Sequence, residues 1–326
     1  MIIGKEFAAW LESRERQRAT ADAMEILRRR WSGYAAVSAL REEISRAASE
    51  DSAAFLAAAE RFFDRSDCLP PLLDELMTAA RADPFFRPPF KLVSSPLHSG
   101  LLLFDSPNIV IGLGIVRLEP LAAKKAGASG GSSIMFNGQW TLLRPLRAGD
   151  ALLSFWEAEP VGESLSAEEA GQCRLVERRR LRNGETILLD GRRQSFVVEH
   201  ALSDIVLLQA NIRAGASPFT VEYDSRTLDF VGATTADETN SRLELMVSLL
   251  RLLDAREAIP VVREALATAS FHTRWQMMRE LLAWDAEAAL PALRQMAEGD
   301  PHAEVRAAAR HTLEMFFAEE PEPCHA

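Results

Sequence analysis

The chain has 326 residues, of which 48% are hydrophobic and 26% charged, a composition that is typical of globular domains and excludes a largely disordered chain. It holds 47 acidic residues against 37 Lys and Arg, a formal net charge of -10. Since nucleic-acid backbones are bound through Lys and Arg, this balance disfavours nucleic acid as a partner, and no apolar run approaches the roughly 18 residues of a membrane span, so no membrane partner is expected.

The N-terminal segment is predicted to be helical. Its first sixteen residues carry six charged side chains, which break the apolar run that a signal peptide needs. The three cysteines are widely spaced and form no disulfide or zinc pattern, so we expect a cytoplasmic protein. Prolines from Pro84 onward close this first domain, placed at residues 1–86. Apolar residues within it recur three and four positions apart, as on one helix face: Phe55, Ala58, Ala59, Phe62 and Phe63.

The segment at residues 87–232 is predicted to be an antiparallel β domain. Its short runs of alternating or β-branched residues are cut by turn signals such as Asn183-Gly184 and Asp190-Gly191, which tight hairpins prefer. About eight strands of this length favour a closed barrel or a jelly roll. The candidate strands are residues 100–104, 109–116, 133–140, 151–157, 173–181, 185–189, 194–198 and 204–211.

One turn in this region resembles a known family. Arg147-Ala148-Gly149-Asp150 leads into an apolar strand and is similar to the Gly-Asp turn of cupin barrels. The resemblance implies a cupin-like barrel, and the cupins that bind metal carry a His-X-His pair with a later Glu and a third His. No His-X-His occurs in this sequence, so the usual metal set would have been lost or replaced.

His98 and His200 are the histidines of the predicted β domain. A facial metal site needs two histidines and a carboxylate, which Asp105, Glu199 or Asp204 could supply. This alternative gives a metal-dependent, cupin-like enzyme of the Fe(II) oxygenase type, holding iron or another divalent metal and acting on a peptide or small acid. Histidines about a hundred residues apart without motif spacing are more often surface or satisfied core residues, so the favoured interpretation has no cofactor.

Arg192 and Arg193 follow the tight turn at Asp190-Gly191. Two guanidinium groups at such a place could clamp the carboxylate or phosphate of a small ligand. The alternative is a solvated hairpin end. These two arginines are the candidate ligand-binding residues of the β domain.

The C-terminal segment, residues 237–317, contains an internal repeat. Five residues recur 31 positions later in the chain, a period in the range of helical solenoids. Each unit is predicted to end one helix at an aspartate and to begin a second helix with a proline in its first turns. The pairs are Asp254 and Asp285, Ala255 and Ala286, Ala258 and Ala289, Pro260 and Pro291, and Arg263 and Arg294.

A third unit begins at Asp300-Pro301, with Asp300 as the expected N-cap, and continues through Val305 and Ala307-Ala308-Ala309. This stretch resembles the opening helix of a HEAT repeat. HEAT-like arrays stack helical hairpins and usually hold another macromolecule, so the resemblance implies a protein or peptide partner. The remaining residues, 318–326, are acidic and proline-rich and are predicted to be a disordered tail.

Arg274 and Arg279 are the candidate partner-binding residues. They lie in a stretch rich in residue types that anchor interfaces. Trp275, Met278 and Leu282 share a helical spacing and are expected to form the core between repeats. Because the two arginines fall off that stripe, we expect them to be exposed and to face a partner.

The sequence therefore predicts an α+β multidomain protein with N-terminal helices, a central antiparallel β barrel or jelly roll, and C-terminal HEAT-like α-hairpin repeats. The favoured function is a non-catalytic binding or scaffold protein, whose β domain binds a small ligand or peptide while the repeats dock a protein. A serine-hydrolase elbow, a zincin motif and a dinucleotide-binding fingerprint are all absent. Besides the metal enzyme, a second alternative is a ligand sensor that regulates a partner protein.

Overall fold

A computed structural model describes residues 4–127, 133–162 and 167–317. The predicted disordered tail at 318–326 lies outside the described residues. The chain divides into two compact units, the first within Met1–Ile134, Gln139–Glu157 and Arg174–Ala216, the second within Met135–Gly138, Ala158–Cys173 and Ser217–Ala326. The domain limits drawn from the sequence remain predictions.

The described residues form twelve α-helices and twelve β-strands. The helices are α1 (Lys5–Glu12), α2 (Arg14–Gly33), α3 (Ala35–Arg46), α4 (Ser52–Asp64), α5 (Leu69–Ala82), α6 (Leu118–Gly127), α7 (Ala167–Ala170), α8 (Glu238–Leu252), α9 (Ile259–Ala265), α10 (Phe271–Trp284), α11 (Ala286–Gly299) and α12 (Ala303–Phe316). The strands are β1 (Lys91–Ser94), β2 (His98–Asp105), β3 (Ile109–Val116), β4 (Ser133–Phe136), β5 (Trp140–Arg147), β6 (Leu152–Glu157), β7 (Arg174–Arg180), β8 (Ile187–Asp190), β9 (Gln194–His200), β10 (Ile205–Ile212), β11 (Phe219–Asp224) and β12 (Phe230–Thr235). None of these helices has the length and apolar character needed to cross a membrane.

The first unit is built around a six-stranded sheet in the order β1-β2-β3-β10-β5-β8, with antiparallel neighbours throughout. A second, three-stranded sheet has the order β7-β6-β9 and is also antiparallel. These strands confirm the antiparallel β prediction. Over the described residues the two sheets remain separate and do not close into a barrel. The arrangement is therefore of the jelly-roll kind, and these residues do not form the closed barrel of the alternative prediction.

The large sheet packs on both of its faces. On one face Ile111, Leu142 and Leu208 join a core cluster with the N-terminal helices, which contribute the predicted apolar stripe of α4. On the other face Leu143 and Leu207 join a cluster with Leu153 and Phe155 of the second sheet. Adjacent residues of a strand point to opposite faces, so Leu142 and Leu143 serve different cores. The hydrophobic core between the N-terminal helices and the large sheet therefore continues across residue 86, where the chain changes from helices to strands.

The strand β7 is an edge of the second sheet and is exposed along nearly its whole length. Its arginines pair with acidic groups of neighbouring segments: Arg174 with Glu157, and Arg180 with Asp150. The edge therefore presents charged side chains to solvent, as natural proteins commonly arrange at exposed strand edges.

The second unit contains the sheet β12-β11-β4 and the helices α8 to α12. The predicted stripe is buried as expected: Met278 is fully buried, and Trp275 and Leu282 pack against the same core. Asp285 caps α11 by accepting the backbone amide of Ala288 at 2.9 Å. Pro260 lies in the first turn of α9, as predicted.

Two sequence expectations for the repeats are wrong in detail. Pro291 lies inside α11, because that helix already begins at Ala286, whereas the equivalent residues before Pro260 form a separate 3-10 turn at Arg256–Ala258. Asp300 does not cap α12, which begins at Ala303 after His302. The Asp300 carboxylate is engaged elsewhere, by an arginine of α10.

The substitution Val305→Asp tests the helix phase of α12. Val305 is buried in the repeat core, so an unpaired carboxylate there should lower the free energy of unfolding by about 2–5 kcal/mol. The matched control is Ala307→Asp, two positions away on the exposed side, which should cost less than about 1 kcal/mol. Urea unfolding measures both, and equal losses for the two variants would contradict this phase.

Candidate functional site

A cleft of about 480 Å³ lies between α9 and α11, within the second unit. Its floor is apolar, with buried Leu266 directly after α9 and buried Met296 from α11. Arg263, Glu264 and Gln295 lie at its rim with exposed side chains. The floor residues are held by the repeat core, because Leu266 and Met296 both belong to its buried cluster. The cleft therefore combines a fixed apolar floor with polar groups that are accessible to a partner.

The base of the cleft is closed by the ion pair of Arg274 and Asp300. Arg274 donates two bonds of 2.8 Å to the two Asp300 carboxylate oxygens and a third, of 2.7 Å, to the carbonyl oxygen of Ala269. The side chains are only 15% and 4% exposed. The expected exposure of Arg274 is therefore wrong: its guanidinium ties α10 to the segment before α12. Arg279 is exposed as expected and contacts Gln276 at 3.4 Å.

The ion pair sets the ionisation of Asp300. Burial alone would raise the pKa of this carboxyl group, but the hydrogen bonds from Arg274 and from the His302 backbone amide, together with the charge of Arg274, hold the pKa below its ordinary value. The carboxylate is thus charged and accepts three hydrogen bonds, two from Arg274 and one from the His302 backbone amide.

The imidazole of His302 lies beside this pair. It stacks on the ring of Phe271 at 3.8 Å with an angle of 4° between the planes. Its Nδ1 atom is buried and finds no hydrogen-bond partner among the described residues. The stack joins α10 to the start of α12, so Phe271 and His302 reinforce the contact that Arg274 and Asp300 make.

Arg192 is occupied by a carboxylate of its own hairpin. Its guanidinium makes two bonds of 2.8 Å to Asp190 and lies over the ring of Trp140, with 5.7 Å between the Arg192 Cζ atom and the ring centroid. Burial tends to raise the pKa of Asp190, but the bonds from Arg192 outweigh it and lower that pKa. Arg193 is exposed. The two arginines are therefore not brought together as a clamp.

A smaller cavity of the first unit, about 210 Å³, lies next to this hairpin, between residues of β6, β7, β8 and β9. Phe155, Trp156 and Leu189 give it an apolar lining, while Gln194 and Arg179 contribute polar groups. Arg179 is already paired with Glu185 and lies over the Phe155 ring at 4.8 Å. Only a small, mainly apolar ligand would fit this cavity.

The metal candidates are not assembled into a site. His98 begins β2 and His200 ends β9, and no group of three His, Cys, Asp or Glu side chains suited to a metal ion occurs in the described part of the chain. The three candidate carboxylates have other partners: Asp105 pairs with Lys91 and Arg213, Glu199 with Arg178, and Asp204 with the Leu118 backbone amide. The donor set therefore does not fit a facial metal site.

The sequence does not predict the rim residues of the cleft as functional. Arg263 stands out only as a member of the 31-residue repeat, paired with Arg294. That repeat register was the available signal, because a position equivalent in successive units falls on the same side of a stacked array. Gln295 and Glu264 are neighbours of these repeat positions, and nothing else in the sequence marks them.

Comparison with known families agrees with the repeat prediction. A family profile described as HEAT repeats matches residues 233–314, which confirms the predicted HEAT-like repeats in this part of the chain. No curated protein matches the chain in sequence.

Several solved structures of cupin proteins are similar to part of the chain. A structure of Fe(II)-HppE with an alternative substrate is 11% identical, covers 59% of this chain and 96% of its own, and has a TM-score of 0.26. A sugar phosphate isomerase of the cupin superfamily from Silicibacter pomeroyi DSS-3 is 12% identical over 44% and 78% of the two chains, with a TM-score of 0.23. A cupin domain from Bordetella pertussis Tohama I is 14% identical over 37% and 99%, with a TM-score of 0.23. Function has to follow from the residues of this chain.

The ion pair of Arg274 and Asp300 predicts a pH-dependent stability. Arg274→Met leaves a buried carboxylate without its partner and should lower the free energy of unfolding by about 3–5 kcal/mol at pH 7. Since the folded-state pKa of Asp300 is lowered, the contribution of the pair is present above the unfolded pKa of about 3.9 and is lost as pH falls through the lower folded-state pKa. The difference between wild type and variant should therefore shrink below about pH 4.

Urea unfolding at pH 7 and at pH 3.5 makes this measurement. The matched control is Arg279→Met, which removes an exposed guanidinium from the same helix and should change stability by less than about 0.5 kcal/mol at either pH. Similar small effects for both variants at pH 7 would show that the pair with Asp300 contributes no stability.

Proposed function

We propose that this protein is a non-catalytic binding or scaffold protein whose HEAT-like array docks a protein partner in the cleft between α9 and α11. The supporting observation is the cleft itself. At its base, Arg274 and Asp300 form an ion pair with each other. Arg263, Glu264 and Gln295 are exposed at the rim above an apolar floor. Interfaces commonly combine an apolar centre with a polar rim.

The dimensions of the cleft fit a short segment of a partner chain. A space of about 480 Å³ accommodates a few side chains. Leu266 and Met296 would contact an apolar anchor of that segment, and rim groups of both charges, Arg263 and Glu264, would contact polar residues on either side of the anchor. Repeat arrays bind macromolecules through extended surfaces of this kind.

The described residues that line the cleft include no serine, cysteine, threonine or histidine. A hydroxyl or thiol nucleophile paired with a histidine base is therefore not formed among them. The thiols of Cys68 and Cys173 lie elsewhere and are buried. Burial raises the pKa of Cys173 to about 11, which keeps this thiol protonated and unreactive at neutral pH.

The β domain would bind its small ligand in the cavity lined by Phe155, Trp156 and Leu189. This placement differs from the one predicted from the sequence, because Arg192 already holds Asp190. A ligand sensor remains the related alternative. It requires a ligand whose affinity differs between two states of the protein.

Site-specific photo-crosslinking tests the docking proposal. A photoreactive amino acid at Gln295, on the cleft rim, should give a reproducible adduct with one protein in extracts of the source organism. The same probe at Glu287, exposed on the same helix but outside the cleft, is the control. Exchanging the rim charges by Arg263→Glu with Glu264→Arg should reduce the Gln295 adduct more than about tenfold. Equal adduct yields at Gln295 and Glu287, or no effect of the exchange, would contradict docking in the cleft.

Elemental analysis tests the metal-enzyme alternative. The protein, purified without chelator or affinity tag, is compared with a His98→Ala/His200→Ala double variant. We expect substoichiometric metal, equal in the two proteins, because no three donors converge among the described residues. Near-stoichiometric iron, zinc or manganese in the wild type that disappears in the variant would contradict the binding proposal and support the enzyme.

A further inference from the structure

The helix α8, the first helix of the HEAT-like array, has an apolar face that no described residue covers. Five large side chains on it are between 52% and 72% exposed: Leu245, Met246, Leu249, Leu252 and Leu253. Their spacing places them on one side of the helix. We call this face the leucine stripe.

Two charged residues of α8, Glu244 and Arg251, lie on its opposite side, which contacts the array. Glu244 accepts a hydrogen bond of 2.7 Å from the Thr273 hydroxyl group, and Arg251 pairs with Glu280. Both partners belong to α10, and Val247 is buried beside them. These two charged side chains therefore point toward the array, while the large apolar side chains of α8 point outward. A helix at a water-exposed surface shows the opposite arrangement.

This reversal occurs at an end of the repeat array. The match to HEAT repeats begins at residue 233, immediately before α8. Terminal units of helical arrays need a polar outer face to remain soluble, and monomeric proteins rarely expose contiguous apolar patches beyond several hundred Å². The leucine stripe consequently has the character of an interface.

We propose that the leucine stripe binds the same stripe of a second copy of this chain, with the two α8 helices antiparallel. The argument is the symmetry of the stripe. Its members lie four and three positions before Leu249, at Leu249, and three and four positions after it. A two-fold axis at Leu249 therefore places Leu245 opposite Leu253 of the second copy and Met246 opposite Leu252 of the second copy. Self-complementarity of this kind is what a two-fold interface requires.

Other occupants fit the stripe less well. The tail at residues 318–326 carries three glutamates and two prolines and lacks large apolar side chains, so it cannot bury five leucine-sized groups. A strongly charged partner would have to remove water from its charges to cover five apolar side chains, which is costly. Five such side chains expose on the order of several hundred Å², so two copies together bury an area close to the roughly 1,000 Å² that a specific interface needs.

Sedimentation equilibrium of the full chain over a range of concentrations tests the proposal. The wild type should be a dimer that dissociates on dilution. Leu249→Glu and Leu249→Lys should each raise the dissociation constant more than about tenfold, because the axis brings two like charges together. A 1:1 mixture of the two variants should restore the dimer, which a misfolded protein could not do. Val261→Glu, at an exposed apolar position of α9, is the control and should leave the dimer intact.

Cysteine crosslinking adds a geometric test. In a Cys324→Ser background, Leu249→Cys should form an intermolecular disulfide under mild oxidation, because residue 249 of each copy lies at the axis, whereas Val261→Cys should not. A wild type that is monomeric at all concentrations would overturn the proposal. So would a dimer that Leu249→Glu leaves unchanged, or failure of the two charged variants to associate when mixed.

Discussion

The six-stranded sheet of the first unit is covered on both faces, and the residue types of its central strands follow from this. In β5, Leu142 faces the N-terminal helices and Leu143 faces the second sheet. In β10, Leu208 and Leu207 divide in the same way. A strand buried on both sides needs apolar residues at successive positions, not at alternate ones. The N-terminal helices are therefore one of the two layers that keep this sheet from water, and they share its stability.

In the second unit the comparable constraint is the contact between repeats. A short-range apolar stripe builds each hairpin, but Arg274 and Asp300 join residues 26 positions apart, and the stack of Phe271 on His302 adds to the same junction. Because both polar groups hold the start of α12 to α10, the docking that we propose would use the groups at the cleft rim. The rim could then vary without loss of the array, since its side chains are not part of this junction.

The local patterns of the sequence predicted much of this fold, and the long-range pairings could not be predicted. Apolar periodicity located the α4 stripe and the core between repeats, and turn signals located strands such as β3 and β9. The sequence pattern predicts one strand over residues 133–140. In the structure Gly138 has a φ of 72° and separates β4 from β5. Arg192 is predicted to bind a ligand because an arginine signals a bond to some anion, and Arg274 is predicted to face a partner because it falls off the apolar stripe. The sequence does not tell whether that anion belongs to the chain, and in both cases it does.

The arginine-rich edge β7 has a consequence for how copies of this chain meet during and after folding. An unpaired strand edge is a template on which other strands can add, and such growth has no natural limit. Inserting another strand beside β7 would require removing water from charged guanidinium groups, which is costly. Association through strands is thereby penalised at this edge. The pairing of helix surfaces that we propose has no such open end, because a two-fold pair closes on itself and growth stops at two.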